Sequence, residues 1–539
     1  MIHFGTAGLR GQMIPGSDGI NNDTIVWATF GIATWLNQTY TQSSDHKTPT
    51  GVVIAHDTRH NSSSFAEIAA NVLVSQGIPV YYFDKYQPTP VLVYTIRRLN
   101  CAAGIVITAS HNPKEYNGYK VYNADGIQIG DAEAAMIRSG MAEAADQVSA
   151  TDLVFKSWNE LPDAQPVASR QLDSYHEYIN NLWQLPGKTT DVNIVYTPMQ
   201  GTGGRHMIEI LAKSGFSNLH PVSSQFEPDP DFSQVTSPNP EQPGALDEAC
   251  RLASSQKTDL ILATDPDADR AAAVIMDQNR KPVILTGNEL GAMLLYGLLY
   301  QFTELNTQPA HPVLVKTVVT DDFAATIARA AGFEVVNTLT GFKNICGTIP
   351  DLQAAGKDFV MGFEESIGYA FFDDVRDKDG LAACRILAGM AATFMEKNMT
   401  LFDVYKKLRD TYGFYISRPF SHYCPGSDGP QLAQRIVDAF RQNPPLIIGD
   451  GNLQRLEDFK TQKIYYFDQK IGEPSRISHP QQNLLRFFYD NGNWFALRPS
   501  GTEPKLKFYL YTVDHDLTRA TEKANQQEDF VKEFLEKIV

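Results

Sequence analysis

The hydrophobic pattern near the start of the chain alternates short apolar runs with helix-length amphipathic segments. Three continuous apolar runs have the length of buried strands: residues 51–55, 78–83 and 104–108. Between the first two runs, apolar residues recur at helical spacing. Ser64 and Glu67 have the spacing of a capping box, and Gly77 is placed to end this helix. The pattern predicts a β-α-β-α-β unit.

The same alternation of strand-like and helix-like segments returns twice further along the chain. The second segment has apolar runs at residues 192–197 and 260–264, and the third has them at residues 313–319, 333–337 and 359–363. No repeat is visible at the level of individual residues. The pattern therefore predicts three successive α/β units of similar architecture.

The pattern changes after about residue 420. A join rich in proline and glycine at residues 424–430 precedes a helical segment at 431–441, two aromatic strands at 494–497 and 506–511, and a closing amphipathic helix. These elements predict a smaller α+β domain. We predict four domains, at residues 1–188, 189–302, 303–422 and 423–539.

The net charge of the chain limits the classes of binding partner that we expect. The chain has 539 residues, with 46 Lys and Arg against 62 Asp and Glu, and a formal net charge of −16. General binding to nucleic acid or to an anionic membrane needs a basic footprint that this composition lacks. A local cluster of Arg and Lys can still bind a phosphate in an acidic protein. We expect no nucleic-acid partner and no membrane partner.

Cysteine usage and the first residues indicate the compartment. The five cysteines are widely spaced and form no CxxC pair, which is typical of reduced thiols. The start, MIHFGTAGLRG, lacks the basic residues and apolar stretch of a signal peptide. We expect a cytoplasmic protein.

The first loop with candidate chemistry is Thr108–Pro113, directly after a predicted strand. Its Ser110 is a possible nucleophile toward phosphorus or carbon. Thr108 and Asn112 occupy the positions where an esterase elbow needs glycine, so that reading fits poorly. A simple turn stabilised by local side-chain hydrogen bonds stays open as an alternative.

The second such loop reads Asp-Pro-Asp-Ala-Asp-Arg at residues 265–270. Carboxylates at alternate positions of extended backbone face one side, and a hard divalent cation prefers oxygen ligands. A calcium-binding EF-hand would need Gly and Glu where this chain has Arg270 and Met276, and Asp269 replaces the Thr or Val of a phosphatase signature. A solvated acidic turn remains the alternative.

Three further loops carry sugar- or phosphate-binding groups. Residues 339–343 combine a glycine with Lys343, and residues 362–368 place Glu364 and Ser366 two positions apart, as a polyol ligand would require. The loop at 498–504 concentrates the guanidinium of Arg498, two hydroxyls and glycine N–H groups, which are donors for a phosphate. Ordinary turns are the alternative for each. Residues 201–204 match neither a P-loop nor GxGxxG.

Taken in order, five motifs resemble the signature loops of the alpha-D-phosphohexomutase superfamily: FGTAGLRG, TASHNP, DPDADR, GFEES and RPSGTEPK. The chain is most similar to the phosphoglucomutase and phosphopentomutase branch, which also carries TLTGFK and RDKDG. This resemblance covers nearly the whole chain. It implies an α/β fold of three similar α/β domains with mixed sheets, plus a smaller α+β C-terminal domain, around a central cleft.

The resemblance also implies the site residues, with Ser110 as the phosphoserine. Metal ligands are implied at four positions: Ser110, Asp265, Asp267 and Asp269. Four residues would assist proton transfer or support the reacting phosphoryl group: His111, Lys120, Arg10 and Arg270. Nine would bind the sugar or its distal phosphate: Thr340, Gly341, Glu364, Ser366, Lys378, Arg498, Ser500, Gly501 and Thr502.

The activity implied by the resemblance is an isomerase that interconverts glucose 1-phosphate and glucose 6-phosphate through a phosphoserine and glucose 1,6-bisphosphate. Mg²⁺ is the implied cofactor, sugar phosphates are the implied partners, and the chain would be a monomer or homodimer. Mannose-specific members have a final His in their GEMSGH loop where this chain has Gly368. Pentose and mannose phosphates remain alternatives within the family. A metal-dependent sugar phosphatase or a non-catalytic sugar-phosphate-binding protein is the alternative from other classes.

Overall fold

The structure is a computed structural model, and it describes residues 2–5, 8–40, 49–426, 428–467, 474–500 and 505–538. The chain forms two compact units. One comprises Met1–Lys316, Ala331–Val336 and Thr340–Phe402, and the other comprises Thr317–Ala330, Asn337–Leu339 and Asp403–Val539. Within the described ranges, we find no helix whose length and apolar character would suffice for a membrane span.

The first sheet has six strands in the order β1-β5-β4-β2-β3-β6. Its strands are β1 (Leu9–Gln12), β2 (Val52–His56), β3 (Val80–Tyr82), β4 (Ala103–Ile107), β5 (Tyr116–Asn123) and β6 (Ala164–Pro166). The helices of this segment are α1 (Asn22–Tyr40), α2 (Ser62–Ser75), α3 (Thr89–Arg98), α4 (Asp131–Ala145) and α5 (Ser169–Asn181). Strands β2, β3, β4 and β6 pair in parallel, whereas β5 runs antiparallel to β4 and β1.

The second and third sheets repeat this plan. The second has the order β11-β10-β9-β7-β8, with β7 (Ile194–Thr197), β8 (Leu219–Pro221), β9 (Leu260–Thr264), β10 (Ala271–Met276) and β11 (Pro282–Ile284). The third has the order β13-β12-β14-β15, with β12 (Pro312–Thr317), β13 (Glu334–Thr338), β14 (Asp358–Glu364) and β15 (Gly368–Phe371). In both sheets a parallel strand, β9 or β14, is followed by an antiparallel neighbour, β10 or β15.

Nine helices accompany these two sheets among the described residues. They are α6 (Gly203–Lys213), α7 (Ser223–Phe226), α8 (Asp247–Ser255), α9 (Gly287–Leu305), α10 (Phe323–Ala330), α11 (Phe342–Cys346), α12 (Ile349–Ala354), α13 (Gly380–Glu396) and α14 (Leu401–Tyr412). Almost every residue of α13 is buried. This burial explains its apolar sequence on all faces, since a helix that is covered all round needs no polar side.

The fourth sheet lies in the C-terminal part of the chain, and its assigned strand pairs are antiparallel. Its strands are β16 (Phe414–Ser417), β17 (Phe420–Tyr423), β18 (Ile447–Ile448), β19 (Gly451–Asp458), β20 (Lys463–Tyr466), β21 (Ser475–Arg476), β22 (Leu485–Tyr489), β23 (Trp494–Pro499) and β24 (Lys505–Asp514). Helices α15 (Gly429–Gln442) and α16 (Leu517–Glu536) belong to the same segment.

Aromatic side chains form the core beneath this fourth sheet. Phe487 on β22 and Phe495 on β23 stack with ring centroids 4.5 Å apart. Phe440 on α15 meets both rings edge-on, at 6.2 and 6.0 Å. Such pairs contribute roughly 0.5–1.5 kcal/mol each beyond the area they bury. One of the aromatic strands that the sequence predicted, β23, therefore packs against α15, together with β22.

The predicted fold class is confirmed, because three mixed α/β sheets precede an α+β segment. The strand predicted at residues 260–264 coincides with β9, and the other predicted strands agree to within two residues at most of their ends. The boundaries predicted for the four domains stay a prediction.

The capping box predicted for α2 is wrong. The helix begins at Ser62 after Asn61, whose backbone is left-handed (φ 63°), and no side chain caps it. The Ser64 hydroxyl donates instead to the Asn61 carbonyl (3.0 Å), and the Ser62 hydroxyl donates to Asp57 (2.6 Å). The start is displaced because Asp57 anchors the preceding turn. Gly77, at φ 74°, ends the helix as predicted.

Asp379 anchors the start of α13. Its carboxylate accepts a hydrogen bond from the Ala382 N–H (2.9 Å) and from the Tyr175 hydroxyl of α5, which is 3.0 Å from both oxygens. Burial raises the pKa of Asp379 to about 7. Between about pH 4 and pH 7 the folded protein therefore retains a proton that the unfolded chain has released. Stability contributed by this group falls as pH rises through that window.

We predict that Asp379→Asn removes this pH dependence. The side chain becomes neutral at every pH, so the free energy of unfolding of the variant relative to that of the wild type should rise between pH 5 and pH 8, by on the order of 3 kcal/mol in thermal unfolding. Asp84→Asn, at an exposed aspartate after β3, is the matched control and should change little. A constant difference between Asp379→Asn and wild type across this pH range would contradict the prediction.

Candidate active site

Three loops occupy the same topological position in the first three sheets. Each connects a strand of the parallel part to its antiparallel neighbour: residues 108–115 between β4 and β5, 265–270 between β9 and β10, and 365–367 between β14 and β15. Each contains one non-glycine residue with left-handed backbone, namely Ser110 (φ 53°), Ala268 (φ 54°) and Ile367 (φ 53°). Such conformations cost about 1–3 kcal/mol and concentrate at functional sites.

Ser110 lies at the centre of the first loop and is 3% exposed. Its N–H donates to the Thr108 hydroxyl (2.8 Å), which stabilises the left-handed turn. Its own hydroxyl donates to Asp265 Oδ2 at 2.7 Å and lies 3.1 Å from His111 Nδ1. The structure thus brings a buried hydroxyl into contact with the acidic loop, 155 residues away in sequence.

The acidic loop holds Asp265, Asp267 and Asp269 with their carboxylates fully buried and ligand atoms within 4.8 Å of one another. The sequence prediction of extended backbone here is wrong. The Ala268 N–H donates to the Asp265 carbonyl (2.9 Å), so the loop turns back on itself. The carboxylates converge because of this turn and the left-handed Ala268, and not by simple alternation.

Backbone contacts from three segments fix this loop. Thr202 N–H donates to the Pro266 carbonyl (2.7 Å), Thr89 N–H to the Asp267 carbonyl (2.9 Å), and Gly380 N–H to the Ala268 carbonyl (3.2 Å). Gly201 lies so close that a Cβ there would be 2.3 Å from Pro266 Cα. Residues 201–204, which match no nucleotide motif, therefore serve to support the acidic loop.

The donor set fits a divalent cation. Oδ1 of Asp267 and Oδ1 of Asp269 are buried and have no hydrogen-bond partner. Burial, Asp267 and Asp269 together raise the pKa of Asp265 well above 3.8, because three carboxylates in this space repel one another. Clustered carboxylate oxygens are the ligands that Mg²⁺ prefers. The three aspartates could hold such an ion, with Ser110 adjacent.

Two lysines balance the remaining charge. Lys120 Nζ lies 2.7 Å from Asp267 and 3.1 Å from Asp269, and Lys378 Nζ lies 3.0 Å from Asp269. Burial opposes the charge of both lysines, but the aspartates outweigh it and raise both pKa values. Burial likewise opposes ionisation of Asp269, but Lys120 and Lys378 outweigh it and lower its pKa. These groups are held charged.

His111 is held neutral. Its pKa lies well below 6.5 because of burial and the neighbouring cations Arg270 and Arg10. A neutral imidazole has a free nitrogen that can accept a proton. Arg10, on β1, is exposed and reaches Asn112 Oδ1 of the serine loop at 3.4 Å. The predicted catalytic group is therefore assembled around Ser110.

The third loop, residues 365–367, contacts the acidic loop through Arg270. The Arg270 guanidinium donates to the Ser366 carbonyl (3.1 Å) and lies 3.4 Å from Glu241. Ala271 N–H donates to the Ile367 carbonyl (3.1 Å), which ties the second sheet to the third. Sequence reasoning missed Glu241, which no motif marks.

The predicted sugar-binding residues of the third segment also lie together. Gly341, at φ 106°, donates its N–H to Glu364 Oε1 (2.6 Å), so this backbone position requires glycine. Burial raises the pKa of Glu364, assisted by Glu365. Thr340 accepts from the Asn344 amide (2.8 Å).

Of the predicted phosphate loop, Arg498 and Ser500 are described and lie at the end of β23. Arg498 Nε donates to the Tyr509 hydroxyl (3.3 Å), and Ser500 N–H donates to the Lys505 carbonyl (2.8 Å). Gly501 and Thr502 lie outside the described residues. Strands β23 and β24 pair antiparallel up to Pro499 and Leu506, so the two described ends of this loop lie side by side.

Two further polar residues support the site, although the sequence analysis assigned no role to either. Asp377 accepts hydrogen bonds from the Tyr122 hydroxyl (2.7 Å) and from Gln128 (3.0 Å), and it lies 3.2 Å from Lys378 Nζ. Thr89 donates its hydroxyl to Asp267 Oδ2 (2.9 Å). Asp377 lies in the RDKDG motif, but Tyr122 and Gln128 are 255 and 249 positions away from it, and Thr89 is 178 positions from Asp267, so spacing could not have revealed these contacts.

Comparison with known proteins gives consistent matches along the chain. Family models of phosphoglucomutase/phosphomannomutase match in order: alpha/beta/alpha domain I at residues 1–148, domain II at 173–278, domain III at 286–412 and the C-terminal domain at 453–526. A phosphoglucomutase of Staphylococcus aureus strain MSSA476 is 35% identical over 524 residues, covering 97% of this chain and 92% of that protein. One from Staphylococcus haemolyticus is 36% identical over 516 residues, covering 94% and 90%.

Solved structures share the fold. The open form of the phosphoglucomutase parafusin from Paramecium has a TM-score of 0.71 at 18% identity, covering 99% of this chain and 94% of that one. A phosphoglucomutase/phosphomannomutase family protein from Burkholderia thailandensis has a TM-score of 0.70 at 17% identity, covering 99% and 98%. At these identities the structures support the architecture alone.

We predict that the acidic loop binds one divalent cation and that Asp267→Asn weakens this binding at least tenfold. The substitution removes a charge and one of the buried oxygens that lack a partner. Titration calorimetry with Mg²⁺, and Mn²⁺ paramagnetic resonance, would measure the affinity. Asp247→Asn, at an exposed aspartate of α8, is the control. Equal affinities in all three proteins would place the metal elsewhere.

Proposed function

The chain belongs to the phosphoglucomutase/phosphomannomutase family, and we propose that it is a phosphoglucomutase that interconverts glucose 1-phosphate and glucose 6-phosphate. The observation that carries the proposal is the contact between the Ser110 hydroxyl and Asp265, at 2.7 Å, inside a buried cluster of three aspartates and two lysines. This arrangement suits a serine that accepts and returns a phosphoryl group beside a metal.

The reaction proceeds in two transfers. In the first, the phosphoryl group on Ser110 moves to the free hydroxyl of the sugar phosphate, so the Ser110 O–P bond breaks and a sugar O–P bond forms, while the sugar hydroxyl loses a proton and the serine oxygen gains one. In the second, the Ser110 hydroxyl attacks the other phosphate of glucose 1,6-bisphosphate, so a Ser110 O–P bond forms and the sugar O–P bond breaks, while the serine hydroxyl loses its proton and the sugar oxygen gains one. Neutral His111, 3.1 Å from this hydroxyl, is placed to accept that proton.

Charge in the site supports both transfers. Ser110, Asp265, Asp267 and Asp269 would hold Mg²⁺, which would neutralise charge on the reacting phosphoryl group. Arg10 and Arg270 bring guanidinium groups for its oxygens. Asp267 and Asp269 raise the pKa of Lys120 against the effect of burial, and the resulting ammonium can orient the reacting hydroxyl or phosphate.

The remaining residues bind the substrate. Glu364, Ser366, Thr340 and Gly341 offer groups for sugar hydroxyls, and Lys378 contributes a cation beside Asp269. Arg498, Ser500, Gly501 and Thr502 would bind the phosphate that does not react. We further propose that the boundaries at residues 188, 302 and 422 divide these roles among four domains.

We predict that Ser110→Ala abolishes labelling of the protein by radiolabelled glucose 1,6-bisphosphate and lowers kcat by three orders of magnitude or more, roughly. The hydroxyl is the only group lost, so the fold should persist. Ser64→Ala, on the surface of α2, is the control and should behave as wild type. Retained labelling of Ser110→Ala would place the nucleophile elsewhere.

We predict that kcat/KM is highest for glucose 1-phosphate among glucose, mannose and ribose 1-phosphates, each assayed with Mg²⁺ and catalytic glucose 1,6-bisphosphate and followed by phosphorus NMR. A higher value for mannose or ribose would keep the mechanism and change the substrate. Release of inorganic phosphate alone would identify a phosphatase, and binding without turnover would identify a sugar-phosphate-binding protein.

A further inference from the structure

Arg59 lies directly beneath the serine loop and is only 4% exposed. Its two terminal nitrogens donate to four backbone carbonyls of that loop. Nη2 donates to Ser110 O and Asn112 O, both at 2.5 Å, and Nη1 donates to Pro113 O at 2.8 Å and Tyr116 O at 3.2 Å. One guanidinium therefore satisfies the inward carbonyls of the whole segment 110–116.

This segment needs such a support. Ser110 has left-handed backbone, which a residue with a Cβ rarely adopts. Its carbonyl and three others point toward one centre, where they would repel one another without a cationic donor. A planar guanidinium has donors fixed in a fork and can serve several acceptors at once, whereas a lysine ammonium is a single point charge.

Arg59 is itself held on all sides. Asp57 Oδ2 lies 3.1 Å from its Nε, and Asp57 Oδ1 accepts from the Arg59 N–H (2.9 Å) and from Ser62 Oγ (2.6 Å). The ring of Phe232 covers the guanidinium at 4.9 Å. The position of the Arg59 side chain is thus fixed by contacts with the turn after β2 and with a loop that follows α7.

We propose that Arg59 is a positioning residue for phosphoryl transfer: it fixes the serine loop so that the Ser110 hydroxyl meets Asp265. The proposal rests on the proposed function of Ser110. The contacts of Arg59 are with backbone carbonyls, Asp57 and the Phe232 ring, so it acts through the loop and not on the substrate. Thr202, which follows β7, plays a matching part in the second sheet, because its N–H donates to the acidic loop.

The test is Arg59→Lys. A single ammonium cannot span four carbonyls, so the loop should lose its fixed geometry although the positive charge at residue 59 is kept. We expect kcat to fall 10- to 100-fold with KM within about twofold of wild type, because a misplaced nucleophile affects transfer more than binding. Single-turnover labelling of Ser110 by glucose 1,6-bisphosphate should slow by the same factor. Amide hydrogen exchange of residues 109–116 should accelerate.

Arg385→Lys is the matched control. Arg385 is also buried and also donates to backbone carbonyls, those of Trp183 (3.1 Å) and Asn180 (3.4 Å), away from the serine loop. Its replacement should lower thermal stability but leave kcat and exchange at residues 109–116 unchanged. An equal loss of kcat in both variants would mean a general effect of stability and would overturn the positioning role.

The remaining outcomes separate the two proposals. If wild type incorporates no label at Ser110, the proposed function fails. If wild type is labelled and turns over, but Arg59→Lys matches it in kcat and labelling rate, only the positioning role fails.

Should Arg59→Lys not fold, Asp57→Asn is the second variant. It weakens the contact with Arg59 Nε while keeping the guanidinium, and it should give a smaller fall in kcat with unchanged KM. Wild-type kcat in that variant would overturn the proposal.

Discussion

Three aspartates share one buried space in this protein, and like charges cannot be kept there without opposite charges close by. Lys120 and Lys378 supply two of these, within 3.1 Å of the carboxylates. A buried charge without a partner costs several kcal/mol, so the pairing is a condition for the fold as well as for chemistry. Lys120 comes from the first sheet and Lys378 follows the third sheet, while the aspartates belong to the second. Charge balance thereby joins all three α/β segments.

The same sheet plan recurs in the three α/β segments, and this recurrence makes the charge balance possible. In each of the three sheets, chemistry resides in the loop where a parallel strand gives way to an antiparallel one. Each loop has a left-handed non-glycine residue, and hydrogen bonds from other segments hold all three loops in shape. The strain is sustained because surrounding structure over-determines it. A site assembled in this way is rigid before any substrate binds, which suits transfer between fixed groups.

The same burial bears on the choice between transfer and hydrolysis. Ser110 is 3% exposed, and its hydroxyl already has two protein partners, so bulk water has little access to it. A phosphoryl group carried by Ser110 would therefore be transferred to a substrate hydroxyl that displaces these protein contacts, and not to water. Burial and neighbouring cations lower the pKa of His111, whereas the aspartates raise that of Lys120, which is why different roles are proposed for the two residues.

Several parts of this structure follow from the amino-acid sequence alone. Apolar runs predict β9 and its neighbours, and the motifs identify Ser110 and the aspartates, since these depend on residues adjacent in the chain. The turn at Ala268 was missed because its left-handed backbone is imposed by contacts from outside the loop. Arg59 carries no motif, as its partners are 51 to 57 residues away. Local pattern determines which elements form, whereas strand order and register alone decide which distant side chains meet.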